Sequence, residues 1–355
     1  MDVVHLMPSF SLTHFVLVSI LAASIALFRR SSSQMPSLSV VRAANAAFSP
    51  SYPPTAIFVG GTSGIGQAMA ETFGNYTQGN GRIIIVGRNR ASAESILSKL
   101  PPSKIPGAPH EFVQCDLTLM RNVEKATKDL LARVPKVNYL VMSPGIMTMS
   151  GRDETEEGID KKFAVHYYAR WKFTRDLIPA LERAKDEGED AKVLSVLAAG
   201  ITGPIDLNDL GLKKGFTLTQ AGLQAPTYND LMIESFAALY PKLTFIHSAP
   251  GIVRTTLMAT SPSPLLRATS SLLLGLTYPF SRSPAVCAEW MWYGVWNTAK
   301  SRSESPDAKG STSIPGAWRI GEKGQDVGLT RYFGSEEARK KLWEHTEEAV
   351  RVKEA

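Results

Sequence analysis

The chain has 355 residues, 44% of them hydrophobic and 20% charged, with a formal net charge of +6 and a pI near 9.2. That length suits one large domain with a short appendage, and the composition is that of a globular protein. The basic residues are scattered (RNRAS, RAKDE, EARKKLWE) with no stripe of interleaved aromatics, which argues against nucleic acid as a partner. The two cysteines, Cys115 and Cys287, have no CxxC partner or His cluster nearby; a metal site has no support, and free thiols fit a reducing compartment.

The N-terminus differs from the rest. Phe10 to Phe28, FSLTHFVLVSILAASIALF, contains no Asp, Glu, Lys or Arg, and Arg29-Arg30 closes it. As a helix it would be about 28 Å long, enough to cross a bilayer core. Asp2 before it and the arginine pair after it favour a retained single-pass anchor (1–30) over a cleaved signal peptide or a buried helix. The charge bias puts the remaining chain in the cytosol, with the endoplasmic reticulum as the expected membrane. The sequon at Asn75-Tyr-Thr77 should then stay unglycosylated. Residues 31–53, rich in Ser, Pro and Ala, read as a linker.

From 54 to 355 the pattern is that of one domain. Apolar strand-like runs (TAIFVGG, GRIIIVGR, EFVQCDL, VNYLVMSPG, AKVLSVLA, KLTFIHSAPG) alternate with helix-like stretches, among them GIDKKFAVHYYARWKFTRDLIPALERA and YNDLMIESFAALYP. Continuous apolar strands separated by helices imply a parallel sheet covered on both faces, hence a doubly wound α/β fold. Residues 204–227 interrupt the alternation ahead of the helix expected to begin at Tyr228. Residues 260–283 are apolar with few charges; their LLRATSSLLLGL core, about ten to twelve residues, is short for a second span and reads as a helix covering a hydrophobic substrate, with a dip toward the membrane as the further reading.

The first strand ends in Gly60-Gly61-Thr62-Ser63-Gly64-Ile65-Gly66 and opens the first helix. Glycines there allow close backbone approach, and the free N–H groups of the helix start suit a pyrophosphate. At the end of the second strand stands Arg88-Asn89, and no Asp or Glu occurs between Arg82 and Arg90. A ribose 2′-OH would call for an acid at this point and a 2′-phosphate for a cation, so NADP(H) is the expected cofactor.

The spacing Gly-x-x-x-Gly-x-Gly resembles that of the short-chain dehydrogenase/reductase family, and the resemblance runs from about Thr55 to Glu348. Cys115-Asp116-Leu117 resembles the motif whose aspartate contacts the adenine. Ser143-Pro144-Gly145 falls where Asn-Ala-Gly is usual. Pro250-Gly251-Ile252-Val253-Arg254-Thr255 looks like the stretch that closes over the nicotinamide, and ARKKLWEHTEEAV is similar to the last helix of the retinol-dehydrogenase-like branch. The resemblance implies a Rossmann-type fold, ketone/alcohol interconversion, and a catalytic set of Tyr, Lys, Ser and Asn; many relatives form homo-oligomers. Tyr228 matches the tyrosine, and also stands as a cofactor contact. Met232 replaces the lysine, His166 the asparagine, and Leu197 or Ala198 the serine. His166 is a candidate proton relay. Tyr168-Ala-Arg-Trp-Lys172 repeats the Tyr-x-x-x-Lys spacing in the wrong place and reads as helix surface and packing. The departures are similar to those of a divergent subgroup in fungal genomes, which implies a membrane-bound reductase tailoring a specialised metabolite such as a terpenoid or polyketide. A non-catalytic NADPH-binding protein remains the alternative.

Overall fold

Seven strands build one parallel sheet: β1 Thr55–Val59, β2 Arg82–Gly87, β3 Glu111–Gln114, β4 Tyr139–Met142, β5 Lys192–Val196, β6 Thr244–Ser248 and β7 Ala317–Ile320, in the order β3-β2-β1-β4-β5-β6-β7. The computed structural model describes residues 35–299 and 314–352. Among the described residues the α-helices are α1 Leu38–Ala46, α2 Gly64–Thr77, α3 Arg90–Leu97, α4 Met120–Arg133, α5 (161–186), α6 Leu218–Leu239, α7 Pro264–Thr277, α8 Pro284–Tyr293 and α9 Glu336–Ala349. Alternate residues of each strand serve opposite faces. Ile57 and Val59 join a core with α4, α5, α6 and α9, whereas Ala56 and Phe58 join a second core with α2, α3 and α8. Burial on both faces is why the strands read as unbroken apolar runs. The chain reverses its winding between β1 and β4, and a crevice opens beyond the carboxyl ends of those strands.

Several expectations need correction. The proposed linker is partly folded: 38–46 is helix α1, Val41 and Asn45 are buried, and Asn45 Nδ2 donates to both the backbone and the carboxylate of Glu289, each at 2.9 Å. Phe48 stacks on Trp296 with ring centroids 4.0 Å apart. The compact unit therefore begins at Ser37, not at 54. An alanine-rich stretch with Val41 and Asn45 one turn apart has helix propensity that a reading of its prolines and serines overlooked. Helix α6 begins at Leu218, not Tyr228; Thr217 caps it by accepting from Gln220 N–H at 3.1 Å, and it continues through Pro226. The seventh strand, AWRI, was not legible because its short run carries the fully buried Arg319. The anchor at Phe10–Phe28 lies outside the described residues. Among the described residues, no helix is long and apolar enough to cross a membrane.

Candidate active site

The glycine loop joins β1 to α2. Gly60 and Gly64 have positive φ (80° and 57°), and a Cβ on Gly60 would stand 2.7 Å from Pro144 N. A Cβ on Gly66 would meet Gly60 O and Ser143 Oγ at 2.5 Å. The loop is thus pressed against the end of β4 by contacts that only glycine permits. Ser63 stands at the N-cap of α2 but its side chain makes no capping bond, which leaves the first N–H groups of the helix for an outside acceptor.

A cleft of about 970 Å³, mouth included, starts at this loop. Of the residues singled out in the sequence, Gly60, Thr62, Ser63, Gly64, Ile65, Arg88, Asp116, Leu117, Ser143, Gly145 and Thr255 line it, joined by Cys115, Thr118, Ile146, Val165, Leu257 and Thr260. Arg88 is exposed at the end of β2 with no hydrogen bond or ion pair to the protein. Asp116 Oδ1 accepts from Thr118 N–H at 3.0 Å and Thr118 Oγ at 2.9 Å, which fixes its carboxylate at the rim. Ser143 Oγ is buried with no partner, a polar group left for a ligand to satisfy. These features fit a dinucleotide: a helix start for its phosphates, an uncompensated guanidinium, and an orphaned hydroxyl.

Other expected residues stand back from the cleft. Asn89 caps α3, its Oδ1 accepting from Ser92 N–H at 3.0 Å. Gly66 shapes the loop without lining the cleft. Gly251 (φ 70°) packs on Glu322, Val253 bridges to Arg282, and the Pro250 carbonyl accepts from Cys287 Sγ, so this stretch reaches the cleft only at Thr255.

The catalytic expectations change most. Tyr228 sits in the middle of α6, fully buried, packed on Phe163 and Tyr167 with centroids 5.5 and 5.0 Å away. Its hydroxyl accepts from Gly211 N–H at 3.1 Å and lies 3.4 Å from Gln224 Oε1. Burial raises its pKa further above 10. The structure does not bring Tyr228 to the cleft, either as proton donor or as cofactor contact. Met232 is buried in the same core. Tyr168 and Lys172 are packing residues as expected, though buried rather than on the surface: Tyr168 Oη bonds His345 Nε2 at 2.7 Å, and Lys172 pairs with Asp176 and Glu124.

His166 does adjoin the site. Helix α5 runs as Lys161–Phe163, a π-helical turn Ala164–Tyr168, and Ala169–Asp186; such turns often mark functional positions. The turn puts His166 behind Gly145 and Ile146, where Nε2 accepts the Ile146 N–H at 3.2 Å. Burial above all, then Arg170 and Lys162, pushes the imidazole down to about 3. The ring is therefore neutral at physiological pH. With Nε2 accepting, the proton is assigned to Nδ1, which makes no hydrogen bond to the protein. Such a ring is a hydrogen-bond donor rather than a proton shuttle.

Three positions were missed. Arg170 is fully buried and faces no carboxylate: its guanidinium donates to Ser195 Oγ (2.7 Å), Val196 O (2.8 Å), Pro144 O (2.6 Å) and Val165 O (3.2 Å). Burial lowers its pKa to about 9. It joins the ends of β4 and β5 to the π-turn. Asn229, beside Tyr228, donates to the His166 carbonyl at 2.9 Å and accepts from Ser195 Oγ at 2.7 Å. Asp230 binds His247 Nδ1 at 2.6 Å and Arg319 Nε at 2.9 Å, and His247 Nε2 accepts from Ala198 N–H at 3.2 Å. These groups hold the loop after β5. Their one sequence signal was polarity inside otherwise apolar elements.

The short chain dehydrogenase family model matches residues 54–201. The chain is 33% identical to the oxidoreductase AN1596 of Emericella nidulans over 330 residues, 88% of this chain and 97% of that protein. It is 25% identical to the short-chain dehydrogenase/reductase SAT2 of Stachybotrys chartarum over 344 residues, 88% and 96% of the two chains. In fold it is similar to a 3-ketoacyl-(acyl-carrier-protein) reductase from Brucella melitensis complexed with NADH, with a TM-score of 0.50 at 19% identity over 79% of this chain and 99% of that one. The glycine loop, the sheet order and a relative matched over almost its whole length together show that the chain belongs to the short-chain dehydrogenase/reductase family and is an oxidoreductase of that type.

Proposed function

We propose that this oxidoreductase uses NADP(H) and interconverts a ketone and an alcohol on a hydrophobic small molecule. The observation that carries the cofactor choice is Arg88, an unpaired guanidinium on the cleft wall at the end of β2, with no acid on that strand. Its fork suits a 2′-phosphate. The N–H groups at the start of α2 would hold the pyrophosphate, Asp116 the adenine, and Ser143, Gly145 and Thr255 the nicotinamide half. When bound, the nicotinamide exchanges a hydride with the substrate carbon. Solvent at the mouth exchanges the proton with the substrate oxygen, and the neutral His166 behind Gly145 and Ile146 fixes that wall by accepting the Ile146 N–H. Ile146, Val165 and Leu257 give that end of the cleft an apolar wall, which supports an apolar substrate. The fungal sources of the relatives support a tailoring step on a specialised metabolite of the terpenoid or polyketide kind.

Anchorage through Phe10–Phe28, a cytosolic domain at the endoplasmic reticulum, and assembly into a homo-oligomer are part of the same proposal and rest on the sequence alone. The test of the cofactor assignment is the affinity of Arg88→Ala for NADPH and NADH by calorimetry. Losing a charge-assisted contact should reduce the NADPH/NADH preference about tenfold or more. An unchanged ratio would overturn it.

A further inference from the structure

We propose that α7 and the turn after it, 264–280, form a docking face for an anionic lipid bilayer beside the mouth of the cleft. Of the fourteen residues of α7 only Leu266 is buried. Leu265, Leu272 and Leu276 are 65–66% exposed, and Tyr278 and Phe280 are 60% and 55% exposed. The three leucines recur at i, i+7 and i+11 and so share one helix face. Single exposed leucines need no explanation, but five large apolar side chains within sixteen residues form a patch that water alone would not favour.

The charge around the patch selects the occupant. No Asp or Glu occurs between Glu234 and Glu289, and the charged residues nearest the patch along the chain are Arg254, Arg267 and Arg282. Arg282 pairs with Glu322. Arg254 donates to Ser281 and lies 4.5 Å from the Tyr278 ring centroid, and Arg267 donates to the Ser261 and Pro262 carbonyls; neither meets a carboxylate. Leucines on an exposed helix, with an arginine-stacked tyrosine and unneutralised guanidinium groups at the rim, suit acyl chains below and anionic headgroups above. A second copy of the chain fits less well, because a twofold contact through this patch would set arginine against arginine.

The foot of the helix is tied to the cleft. Ser263 Oγ accepts the Met149 N–H at 2.8 Å, Ser261 Oγ donates to Met147 O at 2.6 Å, and Leu257 and Thr260 line the cleft itself. A bilayer seated on α7 would therefore lie a few residues from the opening, whatever the reaction inside.

The test is photolabelling of the full chain by vesicles of phosphatidylcholine and phosphatidylserine that carry a diazirine in the acyl chain, with labelled peptides located by mass spectrometry. Label is expected on 264–280, separately from any on 10–28. It should fall about threefold or more when phosphatidylserine is omitted, and about tenfold or more in the double variant Leu272→Asp/Leu276→Asp. Leu272→Ser/Leu276→Ser is a second pair if the aspartates disturb the helix, and circular dichroism checks the fold of each. Label confined to 10–28, label insensitive to the double variants, or lipid-free cross-links between copies through 264–280 would each overturn the proposal.

Discussion

The guanidinium of Arg170 donates to Ser195 Oγ at 2.7 Å, and Ser195 Oγ in turn donates to Asn229 Oδ1 at 2.7 Å. This chain of bonds links α5, β5 and α6 directly behind the cleft. It places a buried positive charge close to the site.

Replacing Arg170 with methionine should strip donors from several buried carbonyls at once. We expect a loss of about 3 kcal/mol or more in urea unfolding. The His166 pKa should rise in the same variant, because one of the charges that depress it has gone. Two-dimensional NMR of the imidazole would show it, and an unchanged titration would remove Arg170 from the electrostatics of the site.

Tyr228→Phe should cost about 1–2 kcal/mol of stability, since Gly211 N–H loses its acceptor in a buried place. Turnover with a competent substrate should stay within about threefold of the parent. A fall of about a thousandfold in kcat with unchanged NADPH affinity would show that the hydroxyl reaches the reacting atoms after all.

Acid should destabilise the fold earlier than carboxylates alone would require. His166 is held down to about 3 and His345 to about 4, against an ordinary value of 6.5, and both shifts arise first from burial. Below pH 6.5 the unfolded chain takes up protons that the folded chain refuses until its own lower pKa is reached. Stability therefore falls as pH drops through that window. His345→Gln should flatten the slope of unfolding free energy between pH 6.5 and 4, and an unchanged slope would contradict the assignment.

Two glycines of the site should respond differently to alanine. At Gly66 the new Cβ would press on Gly60 O and Ser143 Oγ, so dinucleotide affinity and melting temperature should both fall, with a cost of about 1–3 kcal/mol. At Gly145 the nearest atom would be Leu257 Cδ1 at 3.8 Å, an ordinary contact, and stability should be kept. Equal melting temperatures for the two variants would disprove the close packing of loop on strand.

Asp230→Asn should be among the costliest single changes, about 3–5 kcal/mol, because it removes the carboxylate that balances the fully buried Arg319 charge. Equilibrium unfolding in urea measures it directly, and a loss under about 1 kcal/mol would mean that Arg319 finds enough support from the Gly328 and Thr330 carbonyls.

The sequence by itself determined the doubly wound sheet, the glycine loop between β1 and α2, and the cationic end of β2. Each is a local pattern with a local cause: strands covered on both faces must be apolar throughout, a helix start that takes a phosphate needs glycines, and a residue ending a strand stays beside the cleft wherever its side chain turns. What Tyr228 does was decided by tertiary structure alone. Helix α6 starts ten residues before it, and that phase turns the ring toward Phe163 and Tyr167 instead of the cleft. The roles of Arg170 and Asp230 were hidden for the same reason, since their partners come from other strands. The leucines of α7 read alike whether buried or exposed, because an apolar side chain does not say what covers it.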